Sequence, residues 1–417
     1  MVDRIVIVGA GQAAAQTCET LRHRGYKGSI VIVGSEPLLP YQRPPLSKKY
    51  LAGLLQRDRL LIRHQQHYDE HCVETRLGHP AIEIDRRTQR VRIDDGSTYA
   101  YDALLLATGS RPRKLSVPGT DLDGIHYVRS VEDVEALRAA MEHGRRLVVI
   151  GGGYIGLEVA ATCRQLGFEV TVLESSGRLM QRVVCHETSE FFAEEHSRRG
   201  VRIHCNAQVT SISSHADSPR VRSVLCADGT EHLADLVVVG IGVEAVDDLA
   251  RAAGLECSNG IVVDAHCRTA DVFIYAAGDC ASQINAQTGV RLRLESVDNA
   301  FQQGTTVALN MLGERTSHNS VPWFWSDQFG LKLITVGLNL GHDQIVIRGK
   351  RVTGSFSICY LRAGRLVAID TINNPKDQMV ARKLVGREFL PDANKLSDPT
   401  VALKDCGAFA AMAQVVQ

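Results

Sequence analysis

The chain carries the same pattern twice: a short apolar run, a glycine cluster, then a helical period. The first copy is Ile5-Val6-Ile7-Val8-Gly9-Ala10-Gly11-Gln12-Ala13-Ala14. The second, about 140 residues later, is Leu147-Val148-Val149-Ile150-Gly151-Gly152-Gly153-Tyr154-Ile155-Gly156. An unbroken apolar run suits a strand covered on both faces, as in a parallel sheet. The periodicity predicts helices over Ala13–Arg24 and Ile155–Leu166, with Gly25 and Gly167 where C-terminal caps belong. A second strand follows each helix, at Ile30–Val33 and at Val170–Leu173.

Two such βαβ units imply two Rossmann-like dinucleotide-binding domains. Further buried strands are expected at Ala103–Gly109, Leu236–Gly240 and Phe273–Asp279. From about Pro322 the texture changes to alternation, at Leu331–Val336, Ile345–Ile347 and Ser355–Ile358, which predicts an antiparallel sheet in a smaller α+β C-terminal domain. The fold class is therefore α/β, divided as 1–112, 113–247, 248–322 and 323–417, with the first and third segments forming one domain.

The glycine spacings carry chemistry. In Gly9-x-Gly11-x-x-Ala14, Gly9 permits a tight turn, Gly11 lets backbone approach a pyrophosphate, and Ala14 lets the helix lie close to the sheet. The helix N-terminus then favours the phosphate charge. Glu36 ends the second strand, where it can accept a ribose hydroxyl, and Ser35 is a neighbouring contact. Gly151-x-Gly153-x-x-Gly156 has the same context. Glu174 follows Gly153 by 21 residues, where a carboxylate reads the adenosine ribose of NAD and repels a 2′-phosphate. NADH over NADPH is the expectation, with Arg178 as the nearby cation that softens it.

Composition narrows the remaining classes. Of 417 residues 44% are apolar and 23% charged, and the formal net charge is zero, which argues against a basic nucleic-acid-binding face. Eleven cysteines are scattered without a C-x-x-C pair or zinc spacing, as in reduced cytoplasmic proteins. No metal site, secretory signal or membrane span is expected.

Together with Ala107-Thr108-Gly109 and Ala277-Gly278-Asp279, the two glycine motifs resemble the two-dinucleotide-domain flavoproteins of the glutathione-reductase superfamily. That resemblance implies FAD on the first motif, NADH on the second, and Asp279 on the FAD ribityl chain; a helix N-cap is the other reading of Asp279. Pro40-Tyr41-Gln42-Arg43-Pro44-Pro45-Leu46-Ser47-Lys48, Leu294-Glu295-Ser296-Val297-x-Asn299-Ala300 and Pro322-Trp323-Phe324-Trp325-Ser326-Asp327-Gln328 narrow it. They resemble the ferredoxin reductases that serve bacterial oxygenase and cytochrome P450 systems. No cysteine pair follows the second strand, so a dithiol relay is not implied; electrons would pass from NADH through FAD to a [2Fe–2S] ferredoxin.

The same resemblance implies roles for single residues. Lys48 stands by the flavin with Glu158 as its partner; a plain salt bridge is the competing reading. Arg43, Ala13, Ala81, Arg129, Val297 and Trp325 are matched FAD contacts, and Tyr154, Ile155 and Gly242 nicotinamide-dinucleotide contacts. Trp323 and Trp325 would shield the flavin edge, and Lys332, Arg382, Lys383 and Arg293 would steer an acidic ferredoxin. Glu244-Ala245-Val246-Asp247 stands where relatives have a Pro-Asn pair, and Asp298 places a charge near the expected flavin. NADH oxidases, rubredoxin reductases and binding flavoproteins like apoptosis-inducing factor share the fold and remain alternatives.

Overall fold

The computed structural model describes residues 2–410. The chain forms two compact units. Met1–Pro44, Leu55–Arg111 and Val243–Ser320 make the first; Pro45–Leu54, Pro112–Gly242 and Val321–Gln417 make the second.

The first unit is built on a parallel sheet in the order Ile274–Ala276, Ala103–Leu106, Arg4–Val8, Ser29–Gly34, Val73–Leu77. Its apolar runs are sorted by the two-residue period of a strand. Ile5, Ile7, Ile30 and Ile32 pack with Ala13, Cys18, Leu21 and Val307 of two helices, Gln12–His23 and Val297–Met311. Val6, Val8, Val31 and Val33 pack on the other face with Ile84, Val91 and Ile93 of the antiparallel sheet Ala81–Asp85, Arg90–Ile93, Thr98–Ala100. Each such side chain stabilises by about 1.5–3 kcal/mol when fully buried. The two helices touch closely: Thr17 donates to the Gly304 carbonyl at 3.0 Å, and a Cβ at Gly304 would lie 2.7 Å from the Ala13 oxygen.

The second unit repeats the plan. Its parallel sheet runs Arg202–Cys205, Glu169–Glu174, Arg146–Ile150, Leu236–Val239, Ile125–His126, with helix Tyr154–Gln165 following the central strand. Both glycine-turn helices start and stop one residue earlier than the periodicity predicts. They end alike, in Schellman closures: Gly25 and Tyr26 donate to Arg22 and Leu21, Gly167 and Phe168 to Arg164 and Cys163. An antiparallel sheet, ordered Trp323–Gln328, Leu331–Gly337, Arg365–Ile372, Ser355–Arg362, Gln344–Lys350, forms the C-terminal part. Two of these strands, Trp323–Gln328 and Arg365–Ile372, lie beyond the three read from alternation. Arg365–Ile372 is nearly all buried, so alternation is lost in it.

One buried ion pair organises the last part of the chain. The Arg348 side chain, 4% exposed, donates to Asp377 at 2.9 Å and to the carbonyls of Leu396, Asp398 and Val401. Asp377 also accepts from Ser357 and Asn374, and Asn374 caps helix Pro375–Leu384. Removing one partner of such a pair leaves a buried charge alone. Arg348→Ala therefore lowers stability by about 3–5 kcal/mol, measured by urea unfolding; a loss below about 1 kcal/mol, the range of surface pairs, would show that the pair is dispensable.

Candidate functional site

Each glycine turn is shaped by a backbone approach that no side chain survives. Gly9 has φ +112°, and a Cβ there would lie 2.1 Å from the Ala107 carbonyl oxygen; Gly151 has φ +107°, with the Gly240 oxygen 2.4 Å from its would-be Cβ. The two amides make the same bond, Gly9 to the Val33 oxygen and Gly151 to the Leu173 oxygen, both at 2.7 Å. Gly11 and Gly153 then serve as N-caps without a side-chain cap, and neither first turn holds an acidic residue. A Cβ at either would meet no atom within 4 Å. Free amides, a positive dipole end and open space fit a dinucleotide diphosphate at both turns. Ala14, fully buried, and Gly156 bring each helix onto its sheet; a Cβ at Gly156 would lie 2.2 Å from the Gly151 oxygen.

Carboxylates stand at the ends of the second strands. Just past Gly34 and Ser35, Glu36 accepts from Tyr41 at 2.5 Å and from Arg43 at 2.6 Å, and the Arg43 guanidinium lies over the Tyr41 ring. A carboxylate has about four acceptor positions, so capacity for a ribose hydroxyl remains. Glu174 accepts from the amides of Gly152 at 2.6 Å and Ser176 at 2.7 Å, which holds it against the second glycine turn. Arg178 donates to the carbonyls of Gln181 and Cys185.

In the first unit, Asp279 lies in a short 3-10 turn, Gly278–Cys280, and accepts from Ser110 at 2.8 Å. It caps no α-helix; helix Val297–Met311 takes its cap from Ser296. Thr108 and Gly109 bond to Val246, which fixes the loop carrying Glu244–Asp247. Arg111 pairs with both Glu244 and Asp248, so charge pairs anchor that loop without a Pro-Asn pair. Ala81 opens its antiparallel strand and packs against the valine-lined face. Asp298 sits in the first turn of its helix, one residue after Val297.

The second unit contains a buried carboxylate that gathers three donors. Glu158, 2% exposed, accepts from Lys48 Nζ at 2.6 Å, Ser47 Oγ at 2.6 Å and Ser326 Oγ at 2.7 Å. Thr162, one turn along the same helix, donates to the Ser47 carbonyl at 2.9 Å. Residues four apart share a helix face, so this face holds Ser47 and Lys48 in place. Desolvating a carboxylate costs several kcal/mol; a cation and two hydroxyls offset that. Behind Ser326, Gln328 donates to its oxygen at 3.0 Å, and Gln328 Oε1 lies 2.8 Å from His196 Nε2. Half-buried Tyr154 packs edge-on against Phe324, while Ile155 is 46% exposed. Gly242 has φ +100° and accepts from the Arg113 amide. Arg129 precedes the capped helix Val131–Ala140 and its amide donates to Asp133. Trp323 and Trp325 stack at 5.4 Å, with the Arg382 guanidinium 3.7 Å from the Trp323 ring.

Residues 3–304 match the pyridine nucleotide-disulphide oxidoreductase family, and residues 323–407 match the reductase C-terminal family. The chain belongs to the pyridine nucleotide-disulphide oxidoreductases. Like its family, this oxidoreductase uses FAD and NAD(P)H. It is 43% identical to rhodocoxin reductase of Rhodococcus erythropolis, over 96% of this chain and 93% of that protein. It is 39% identical to putidaredoxin reductase of Pseudomonas putida, over 97% and 96%. The covalent putidaredoxin reductase–putidaredoxin complex superposes with a TM-score of 0.94 at 39% identity, over 97% of this chain and 98% of that one.

The oxidoreductase fold sorts the expected residues. Gly9, Gly11, Ala13, Ala14, Ser35, Glu36, Arg43, Ala81, Ala107, Thr108, Gly109, Gly278, Asp279 and Val297 belong to the first unit. Lys48, Arg129 and Trp325 belong to the second, as do Gly151, Gly153, Tyr154, Ile155, Gly156, Glu158, Glu174 and Gly242. One expectation is corrected. The Arg293 side chain is 5% exposed, tied to Glu295 and the Asp279 carbonyl, so it is no surface cation; Lys332, Arg382 and Lys383 are exposed. Reading the sequence assigned no role to Ser47, Ser326, Gln328 or His196. Ser326 and Gln328, two apart on one strand, were a legible signal, because polar residues on an inward face need partners.

Burial pushes the His196 imidazole down to about 4, outweighing the opposing pull of Gln328 and Glu195, and burial lowers His318 in the first unit to about 4 as well. Unfolded histidines take protons near pH 6.5, so between pH about 6.5 and about 4 the unfolded state binds more protons. Stability therefore falls as pH drops through that window. Urea midpoints measured from pH 7 to pH 4 should decline, and less steeply in His196→Gln; equal slopes would remove His196 from the account.

Proposed function

We propose that this chain passes electrons from NADH through FAD to a [2Fe–2S] ferredoxin that serves an oxygenase, in the cytoplasm. The observation that carries the reading is the ammonium–carboxylate pair Lys48–Glu158 on the segment where a disulphide-reducing relative needs cysteines. Pro40–Lys48 holds no thiol, and the cysteine beside Asp279, Cys280, is buried, with its thiol pushed up by desolvation. Near-complete alignment with reductases of rhodocoxin and putidaredoxin adds support. Among the described residues, no helix is long and apolar enough to cross a membrane.

Bound FAD supplies the conversion between a hydride pair and single electrons. The protein's part is binding and charge. The Gly9–Ala14 turn and Arg129 would hold the FAD diphosphate, Arg43 would contact FAD beside Glu36, Glu36 would accept from its ribose, and Asp279 would accept from its ribityl chain. The Gly151–Gly156 turn and Glu174 do the same for NADH; with Arg178 bonded to two carbonyls, the negative Glu174 dominates there. Lys48, held by Glu158, offsets the negative charge of the reduced flavin. Lys332, Arg382 and Lys383 supply positive charge for an acidic ferredoxin.

Purified protein should be yellow with bound FAD and should reduce added [2Fe–2S] ferredoxin with NADH, with kcat/KM for NADH at least tenfold above NADPH. Colourless protein without flavin affinity, or rapid oxygen consumption without ferredoxin turnover, would refute the reading. Lys48→Met should retain FAD yet slow flavin reduction by NADH at least tenfold, roughly 1.4 kcal/mol of barrier. Unchanged stopped-flow rates would return the pair to a structural salt bridge.

A further inference from the structure

The hydrogen bonds behind Glu158 have a direction that follows from the chemistry of each group. As the carboxylate partner of Lys48, Glu158 only accepts. Ser326 Oγ, 2.7 Å from Glu158 Oε1, must therefore spend its single proton there. Gln328 lies 3.0 Å from the same hydroxyl, so the Gln328 atom facing it must be the amide nitrogen. That turns Gln328 Oε1 toward His196, 2.8 Å away, and requires the proton on His196 Nε2. The remaining nitrogen, Nδ1, is buried without a partner among the described residues. That suits a neutral ring, and burial holds the imidazole down to about 4. Ser326, Gln328 and His196 are each 0% exposed, so bulk solvent does not reach these groups.

Each donor in this row points to the next acceptor, and the row ends on the carboxylate that holds Lys48. Cores fill such positions with apolar residues when only stability is at stake. A directed set of donors instead locks a rotamer. We propose that Ser326 is a positioning residue for the Lys48–Glu158 pair, its hydroxyl aimed by Gln328 and His196 so that the carboxylate, and with it the ammonium, is held for hydride transfer. The proposal rests on the electron-transfer reading above, in which Lys48 serves the flavin.

The test uses the FAD-loaded protein, stopped-flow reduction by NADH, NADH affinity, and nitrogen NMR of 15N-histidine-labelled protein with His196→Gln for assignment. In the wild type, the His196 signal should report the Nε2–H tautomer. Ser326→Ala should lower the limiting reduction rate about ten- to a hundredfold, the scale of a misplaced reacting group, with NADH affinity within about twofold and FAD retained. Gln328→Glu replaces the donor with an acceptor, so Ser326 turns away from Glu158. It should produce the same loss although the serine is intact. The double variant should lose no more than either single, because both act through one hydroxyl.

An Nδ1–H tautomer in the wild type overturns the proposal, whatever the variants do and even if Ser326→Ala does not fold. So does a Ser326→Ala or Gln328→Glu rate within twofold of wild type, even if either melts earlier. A wild type that binds FAD but is not reduced by NADH overturns the electron-transfer reading and this inference with it. A reducible wild type with insensitive variants overturns the inference alone.

Discussion

The structure depends on how closely backbone can approach backbone just after the first strand of each βαβ unit. At Gly9 and Gly151 the neighbouring carbonyl stands where a Cβ would be. Only glycine admits that approach at positive φ, and without it the following helix cannot start directly over the strand ends. The helix start in turn places free amides over open space at Gly11 and Gly153. A local steric condition, met twice, thus sets where two dinucleotide phosphates are received. The two turns agree down to the amide bond each glycine makes to the second strand.

A buried charge is the second constraint, and it acts through specificity more than through stability. Glu158 brings together three sequence-distant pieces: the Ser47–Lys48 turn, its own helix, and the strand bearing Ser326. An apolar side chain there would suit the core equally well but would hold no ammonium. Arg348 plays a comparable part near the end of the described chain, with carbonyls as its acceptors in place of hydroxyls. In both cases one charged group ties together segments that lie far apart in the sequence.

Legibility followed the length scale of the interaction. Periodicity located the glycine-turn helices to within one residue, because capping and apolar spacing are local. Strand Arg365–Ile372 escaped notice because burial of both faces erased its alternation. Arg293 read as a surface cation, since no local pattern announces a bond to the Asp279 carbonyl fourteen residues away. His196 gave no signal at all: its partner Gln328 is 132 residues distant, and only the fold makes them neighbours. The motif resemblance reached Lys48 and Glu158, but what stands behind them required coordinates.

The second unit draws on three separate stretches of chain, one of them the ten-residue Pro45–Leu54. That short piece contributes Ser47 and Lys48, and Thr162 fastens its backbone. No contiguous fragment can therefore reproduce this unit: excising residues 112–242 severs the loan of Ser47 and Lys48 and strands a carboxylate inside the fragment. Dissection by scissors at apparent domain borders would mislead here. A faithful miniature would have to graft the borrowed decapeptide back by a new linker or a rearranged chain order.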